Sequence, residues 1–201
     1  IAFGTQTFPS VTNPNLKPAA QLYIIDSSNG TPLSNWLTDD ETVTGIVWSP
    51  DQVLIVTDSL DSVVKVWDAN SGKMLESFAN NISNTTRYPR HINFSPYGGR
   101  LAYGGAIPSD AIASSEMQTD ATGAVSLAGG AVQIVVPAPS RERLQTIATA
   151  CNAPAAIQET IAAQTDSSSG LTAQVEALPD GTIPPACAAD LIAVANALQR
   201  Q

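Results

Sequence analysis

The sequence has little of what most enzyme chemistry uses. It holds one histidine, His91, and two cysteines, Cys151 and Cys187, which stand 36 positions apart in neither a CxxC pair nor a Cys/His cluster. A general base needs a partner within hydrogen-bond reach and a nucleophile needs a base. His91, beside Arg90 at the start of an expected strand, reads as a structural or surface histidine. No Gly-rich phosphate loop, HExxH or GxSxG occurs. The two acidic stretches, TDDET (38–42) and DSLDS (58–62), do not follow the EF-hand spacing of calcium ligands. No metal or cofactor is expected, and a non-catalytic role is expected ahead of an enzymatic one.

Other absences narrow the partners. No apolar run reaches eighteen residues, so no spanning helix is expected. Nine basic against eighteen acidic residues give a net charge of −9, which repels phosphate backbones and anionic membranes, so nucleic acid is not an expected partner. The chain opens at Ile1 with neither Met nor a basic-then-apolar leader, and a processed or truncated start is expected.

With 201 residues, 43% of them apolar, the chain can bury a substantial core. Its organisation is repetitive. LYIIDSSNGTPLSNW, VKVWDANSGKMLESF and QIVVPAPSRERLQTI align with Asp26, Asp68 and Pro137 as equivalents. Ile25, Trp67 and Val136 then precede that position, Leu33, Leu75 and Leu144 follow it by seven, and Trp36, Phe78 and Ile147 follow it by ten. Asp26 and Asp68 are 42 residues apart, close to the period of a four-stranded propeller blade. GIVWSPDQVLIVTDS and HINFSPYGGRLAYGG pair Ile46 with Ile92, Trp48 with Phe94, Ser-Pro with Ser-Pro, and Leu54 with Leu101 after one gap. IAFGTQ matches LAYGGA, with Ile1 on Leu101 and Phe3 on Tyr103, so the chain starts in mid-unit.

These residues resemble the WD-repeat propeller families, whose unit runs from a strand ending in Ser-Pro-Asp-Gly to one ending in Trp-Asp. Residues 43–78 keep Ser49-Pro50-Asp51, Asp61 in a turn before the third strand, and Trp67-Asp68. No Gly-His pair precedes the unit, so the family's buried His to Asp network is not carried over. YPRHINFSPYGGRLAY is similar to the lactonase-like propellers of the Tyr-Val-Thr-Asn type, in which Pro-Arg leads into the first strand. The resemblance covers about residues 1–147 and implies a mainly β fold: an incomplete propeller of about two and two-thirds four-stranded blades. It also implies that Trp36, Trp48 and Trp67 are buried anchors whose N–H groups need acceptors.

Closed propellers use four to eight blades, and unpaired edge strands are templates for association. The expectation is therefore a protein-interaction or scaffold module that completes its sheet with another chain or is part of a longer propeller. An alternative is a fragment of a lactonase-like or quinone-dependent dehydrogenase-like enzyme whose site lies largely elsewhere. A further alternative is a subunit that self-associates through its sheet edges.

Residues 107–130 read as a long insertion loop, a candidate contact surface. From residue 148 to 201 the composition turns Ala-rich, and a small α-helical appendage is expected. Ile157 and Ile161 mark one helix, Leu191, Val194 and Leu198 another that starts at the prolines, and a third is expected around GLTAQVEAL. Cys151 and Cys187 read either as buried thiols or as a disulfide stapling this appendage. Four N-x-S/T sequons, at Asn29, Asn81, Asn84 and Asn93, add an extracellular character that favours the disulfide. Asn29, Asn81 and Asn84 are the expected glycosylation sites, while Asn93 falls within an expected strand.

Overall fold

The computed structural model describes residues 1–7, 19–39, 42–59, 61, 63–79, 91–104, 117–119, 125–127, 132–163 and 169–200. It is mainly β, with three antiparallel sheets, none of them closed, and four helices. The first sheet has the order β1 (Ala2–Thr7), β2 (Ala19–Ile25), β3 (Pro32–Asp39), and the second is a meander of β4 (Val43–Trp48), β5 (Leu54–Ser59), β6 (Val63–Asp68) and β7 (Met74–Ala79). These two sheets belong to one compact unit, Ile1–Ile92 with Gly104–Ile112; the other is Asn93–Tyr103 with Ala113–Gln201.

The turns reproduce the repeat atom by atom. In the β2–β3 turn Asp26 N donates to Thr31 O and Gly30 N to Asp26 O; in the β6–β7 turn Asp68 N donates to Lys73 O and Gly72 N to Asp68 O. Both turns need a residue in the left-handed region at the same place, and Gly30 (φ 76°) and Gly72 (φ 70°) supply it. The Ser-Pro turns agree as well. Ser49 N donates to Leu54 O and accepts on Oγ from Leu54 N, as Ser95 does with Arg100. This geometry needs no gap, so it is Arg100, not Leu101, that stands at the position of Leu54.

Register gives the sheets two faces. In the second sheet, pairing places Ile46, Trp48, Ile55, Thr57, Lys65 and Trp67 on a front face, and Leu54, Val56, Val64 and Val66 on the back. In the first, Ile1 and Ile25 exchange backbone hydrogen bonds and Phe3 pairs with Tyr23 on the front, while Ala2 pairs with Ile24 and Leu22 with Trp36 on the back. Leu22, Ile24 and Trp36 from the back of the first sheet form one core with Ile46, Trp48, Ile55, Trp67 and Ala69. The back of the first sheet thus packs on the front of the second.

The third sheet has the order β10 (Met117–Thr119), β11 (Val125–Leu127), β12 (Val132–Val135), β9 (Leu101–Gly104), β8 (His91–Phe94). Two expectations are corrected here. The insertion at 107–130 is not entirely loop, because β10 and β11 pair as a hairpin within it. The segment aligned with β7, residues 143–147, is helical: α1 spans Arg141–Ala150. Ser140 caps it by accepting from Arg143 N at 3.2 Å, and the three-residue spacing of Leu144 and Ile147, read as a strand offset, serves equally as a helix face. The position beside β12 that an outer strand would fill is taken by β11.

The remaining helices are α2 (Ala155–Ala163), α3 (Ser169–Glu176) and α4 (Pro185–Leu198). Leu144, Ile147, Ile157, Ile161, Leu171, Leu191 and Val194 are among the residues of their shared core. Cys151 and Cys187 form a disulfide within it. Among the described residues no helix is long and apolar enough to cross a membrane.

Candidate interaction surface

The first and second sheets carry the same backbone register, so their front faces compare position by position. Ile1 occupies the place of Ile55, Phe3 that of Thr57, Tyr23 that of Lys65 and Ile25 that of Trp67. In the second sheet Ile55 is 0%, Thr57 1% and Trp67 6% exposed, because the back of the first sheet covers them. In the first sheet Ile1 is 63% and Phe3 41% exposed. Phe3 and Tyr23 stack with ring centroids 5.3 Å apart and planes 10° from parallel, Phe3 exposed and Tyr23, like Ile25, half-buried. Tyr23 OH donates to Gln21 Oε1 at 2.9 Å and Gln21 Nε2 to Asn35 Oδ1 at 2.7 Å, so amides flank the ring pair. The front of the first sheet is therefore an apolar, aromatic face, partly exposed, on a chain of net charge −9.

Its edge is open too. The exchange between Ile1 and Ile25 fixes which groups of β1 point inward, so the backbone N–H and C=O of Ala2, Gly4 and Gln6 face away from β2. Among the described residues β1 is a terminal strand of its sheet, and such an edge is a candidate for strand addition.

The structural residues named from the sequence fall into distinct roles. Trp67 is buried and donates from Nε1 to Thr57 Oγ1 at 2.9 Å, which meets the need for an acceptor. Trp48 is half-buried against the shared core. Trp36 is half-buried and tilted against Trp67, 6.4 Å between ring centroids. Its Nε1 is buried without an acceptor among the described residues, so the expectation that each Trp N–H finds one is corrected; packing over a glycine turn, not hydrogen bonding, fixes this ring. Asp61 accepts from Val63 N at 2.8 Å and from Ser59 Oγ, and its Oδ2 lies 3.5 Å from Lys65 Nζ. Lys65 also donates to Thr38 O of β3, tying the two sheets together. Asp68 accepts from Ser71 N and Ser71 Oγ, both at 2.7 Å, and from Asn70 N at 3.1 Å.

The recurring apolar positions Leu33 and Leu75 are not core positions: they are 65% and 39% exposed. Each lies on the outermost strand of its sheet and is the residue skipped at an irregularity in pairing, between Pro32 and Ser34 in one sheet and between Met74 and Glu76 in the other. Asn29 is exposed in the β2–β3 turn, where its Oδ1 accepts from Thr31 N and Thr31 Oγ1. Asn93 is exposed on β8, Asn81 and Asn84 lie outside the described residues, and His91 opens β8.

Two predictions arise from the turns. Gly72 lies under Trp36, and a Cβ there would stand 2.8 Å from the ring, whereas nothing lies within 4 Å of a Cβ at Gly30. Both glycines have positive φ, so Gly30→Ala costs about 1–2 kcal/mol from the backbone alone. Gly72→Ala costs about 1 kcal/mol more, because the ring must move off the turn. Urea unfolding followed by tryptophan emission measures the difference, and equal costs would disprove the packing of Trp36 over this turn.

Asp26 is held below the ordinary carboxyl range by the Ser28 hydroxyl and amide, and Asp68 by the Ser71 amide and hydroxyl. Their folded-state values are depressed, so their contribution is complete at neutral pH and is lost as pH falls below about 4. Both carboxylates are solvated and the effect is small. Asp68→Asn should flatten the acid limb of the stability profile between about pH 4 and pH 2, and an unchanged acid limb would disprove it.

No protein-family model matches the chain, and a search of curated proteins finds no match.

Proposed function

We propose that this chain is part of a β-propeller-type interaction scaffold, of the kind that its Ser-Pro and Trp-Asp units resemble, acting by binding protein partners and working outside the cytoplasm. The observation that carries this reading is the back-to-front packing of two sheets with the same turns and register, which among the described residues leaves Ile1 and Phe3 on the front of the first sheet exposed and β1 at the end of that sheet. Blades that share one packing relation form a rigid support, and open faces and edges on such a support serve recognition. The Cys151–Cys187 bond favours an oxidising compartment, and the exposed Asn29 sequon suits a glycan there.

The test compares two masses of the protein isolated from its source with thiols blocked and no reductant added. A native mass larger than the denatured polypeptide mass is expected, with a glycosidase-sensitive increment at Asn29. A native particle of one polypeptide, or free Cys151 and Cys187, would count against the scaffold and its location respectively.

A further inference from the structure

We infer that the front face of the first sheet, built by Ile1, Phe3, Tyr23 and Ile25, is the seat of one further sheet of the same repeat type, preceding β1 in the same polypeptide. This rests on the scaffold reading and names what occupies its open face. The uncovered face, and not the place of Ile1 in the chain, carries it.

The packing relation already present supplies the direction. The back of the first sheet lies on the front of the second, so a front face receives the sheet that comes before it in chain order. Ile1, Phe3 and Ile25 stand where Ile55, Thr57 and Trp67 stand in the second sheet, yet Ile55 is fully covered and Ile1 is 63% exposed. The glycine turns repeat the contrast: Trp36 of the first sheet sits over Gly72, whereas among the described residues nothing lies within 4 Å of a Cβ at Gly30, which has a similar positive φ. An occupant shaped like the back of the first sheet would place aliphatic side chains, as Leu22 and Ile24 are placed, on the Phe3–Tyr23 pair, and an aromatic ring over Gly30.

A second copy of this chain does not supply that surface. On the back of the second sheet Leu54, Val56, Val64 and Val66 are all at most 2% exposed. In the third sheet the place of Leu54 is taken by Arg100, whose Nε donates to Asp190 of α4. On the second sheet the equivalents of Leu22 and Ile24 are therefore covered, and on the third an arginine held by Asp190 stands in the same row. The relation is heterologous, and a heterologous stack grows by adding another repeat.

Hydroxyl-radical footprinting of the polypeptide isolated intact from its source, beside the 201-residue chain, tests this. Phe3 and Tyr23 should be oxidised readily in the 201-residue chain and protected several-fold in the natural polypeptide. The denatured mass of that polypeptide should exceed the chain by at least one repeat, the 42 residues that separate Asp26 from Asp68. Gly30→Ala should become as costly as Gly72→Ala in the longer form. Equal oxidation of Phe3 in both forms overturns the inference. Protection in a polypeptide no longer than 201 residues also overturns it, because the seat then belongs to a separate chain. Trp67 keeps the two readings apart: if it is oxidised as readily as Phe3 in the 201-residue chain, the packing of sheet on sheet fails, and if only Phe3 stays open, the scaffold reading survives.

Discussion

Replacing Cys151 and Cys187 together by alanine should destabilise the helical part of the protein by on the order of 3–4 kcal/mol. The bond closes a loop of 36 residues, and chain-entropy theory assigns that size of loop a contribution of this order. The sequence between the two cysteines makes the loss consequential. It contains α2 and α3, of nine and eight residues, lengths at which helices in water do not persist without tertiary support. Cys151 closes the end of α1 and Cys187 lies in the first turn of α4, so the bond joins the entry and exit of that loop. The protein provides its own comparison, since Trp36, Trp48 and Trp67, all its tryptophans, belong to the first two sheets. Urea unfolding followed by far-ultraviolet dichroism should show the helical transition moving to lower denaturant, with a smaller change in tryptophan emission. Treating the unmodified protein with a dithiol should reproduce the shift, and a helical midpoint unchanged in both experiments would sink the prediction.

Asp190→Ala should cost about 2–4 kcal/mol, the largest effect expected of any single carboxylate here. Asp190 is 0% exposed and lies on α4, three residues after Cys187. Its carboxylate accepts from Arg100 Nε at 2.7 Å, from Ser95 Oγ at 2.7 Å and from Gly99 N at 3.4 Å, so it fastens the β8–β9 turn to the helix core. Truncation removes a charge-assisted bond and leaves the Ser95 hydroxyl and Gly99 amide with one acceptor fewer. The Arg100 side chain is 33% exposed and finds water once released, which places the cost below that of a fully enclosed pair. Asp190→Asn keeps the shape and loses the charge, and should recover part of the stability. Arg143, buried beside the same turn, donates from Nη2 to Gly98 O and holds the turn from α1. A loss under about 1 kcal/mol for Asp190→Ala in equilibrium unfolding would show that the contact does not secure the turn.

Alternation and turn chemistry made the strands legible. The meander over residues 43–79, the glycine turns after Asp26 and Asp68, and the Ser-Pro turns follow from patterns a few residues long, where local sterics and hydrogen bonding decide the backbone. The helices marked by Ile157 and Ile161 and by Leu191 and Val194 were legible for the same reason, and all four side chains are at most 2% exposed. Leu144 and Ile147 were ambiguous because a spacing of three suits a helix face as well as the strand offset, and only the cap at Ser140 distinguishes them. Leu33 and Leu75 were misleading for another reason. Recurrence in sequence records equivalent places in a repeat, and this place, on an outermost strand, is exposed in both sheets.

The candidate surface was hardly legible at all. Phe3, Tyr23 and Ile25 look like core residues, and their equivalents Thr57, Lys65 and Trp67 include a buried polar side chain, Thr57, and a half-buried lysine. Burial here depends on whether another sheet lies on the face, which no property of the residue itself records. The Asp190 clasp was hidden likewise, since Arg100 and Asp190 are 90 positions apart and neither belongs to a motif.

By itself, then, the sequence determined the repeating units, their turns, the helical character of the Ala-rich end and the pairing available to two lone cysteines, because each is set by local conformational preference or by counting. Only the tertiary structure decided which way the sheets pack, which of two equivalent faces is covered and which buried charge ties a helix to a turn. Those are outcomes of non-local contact, where the free energy of a side chain is set by what lies against it.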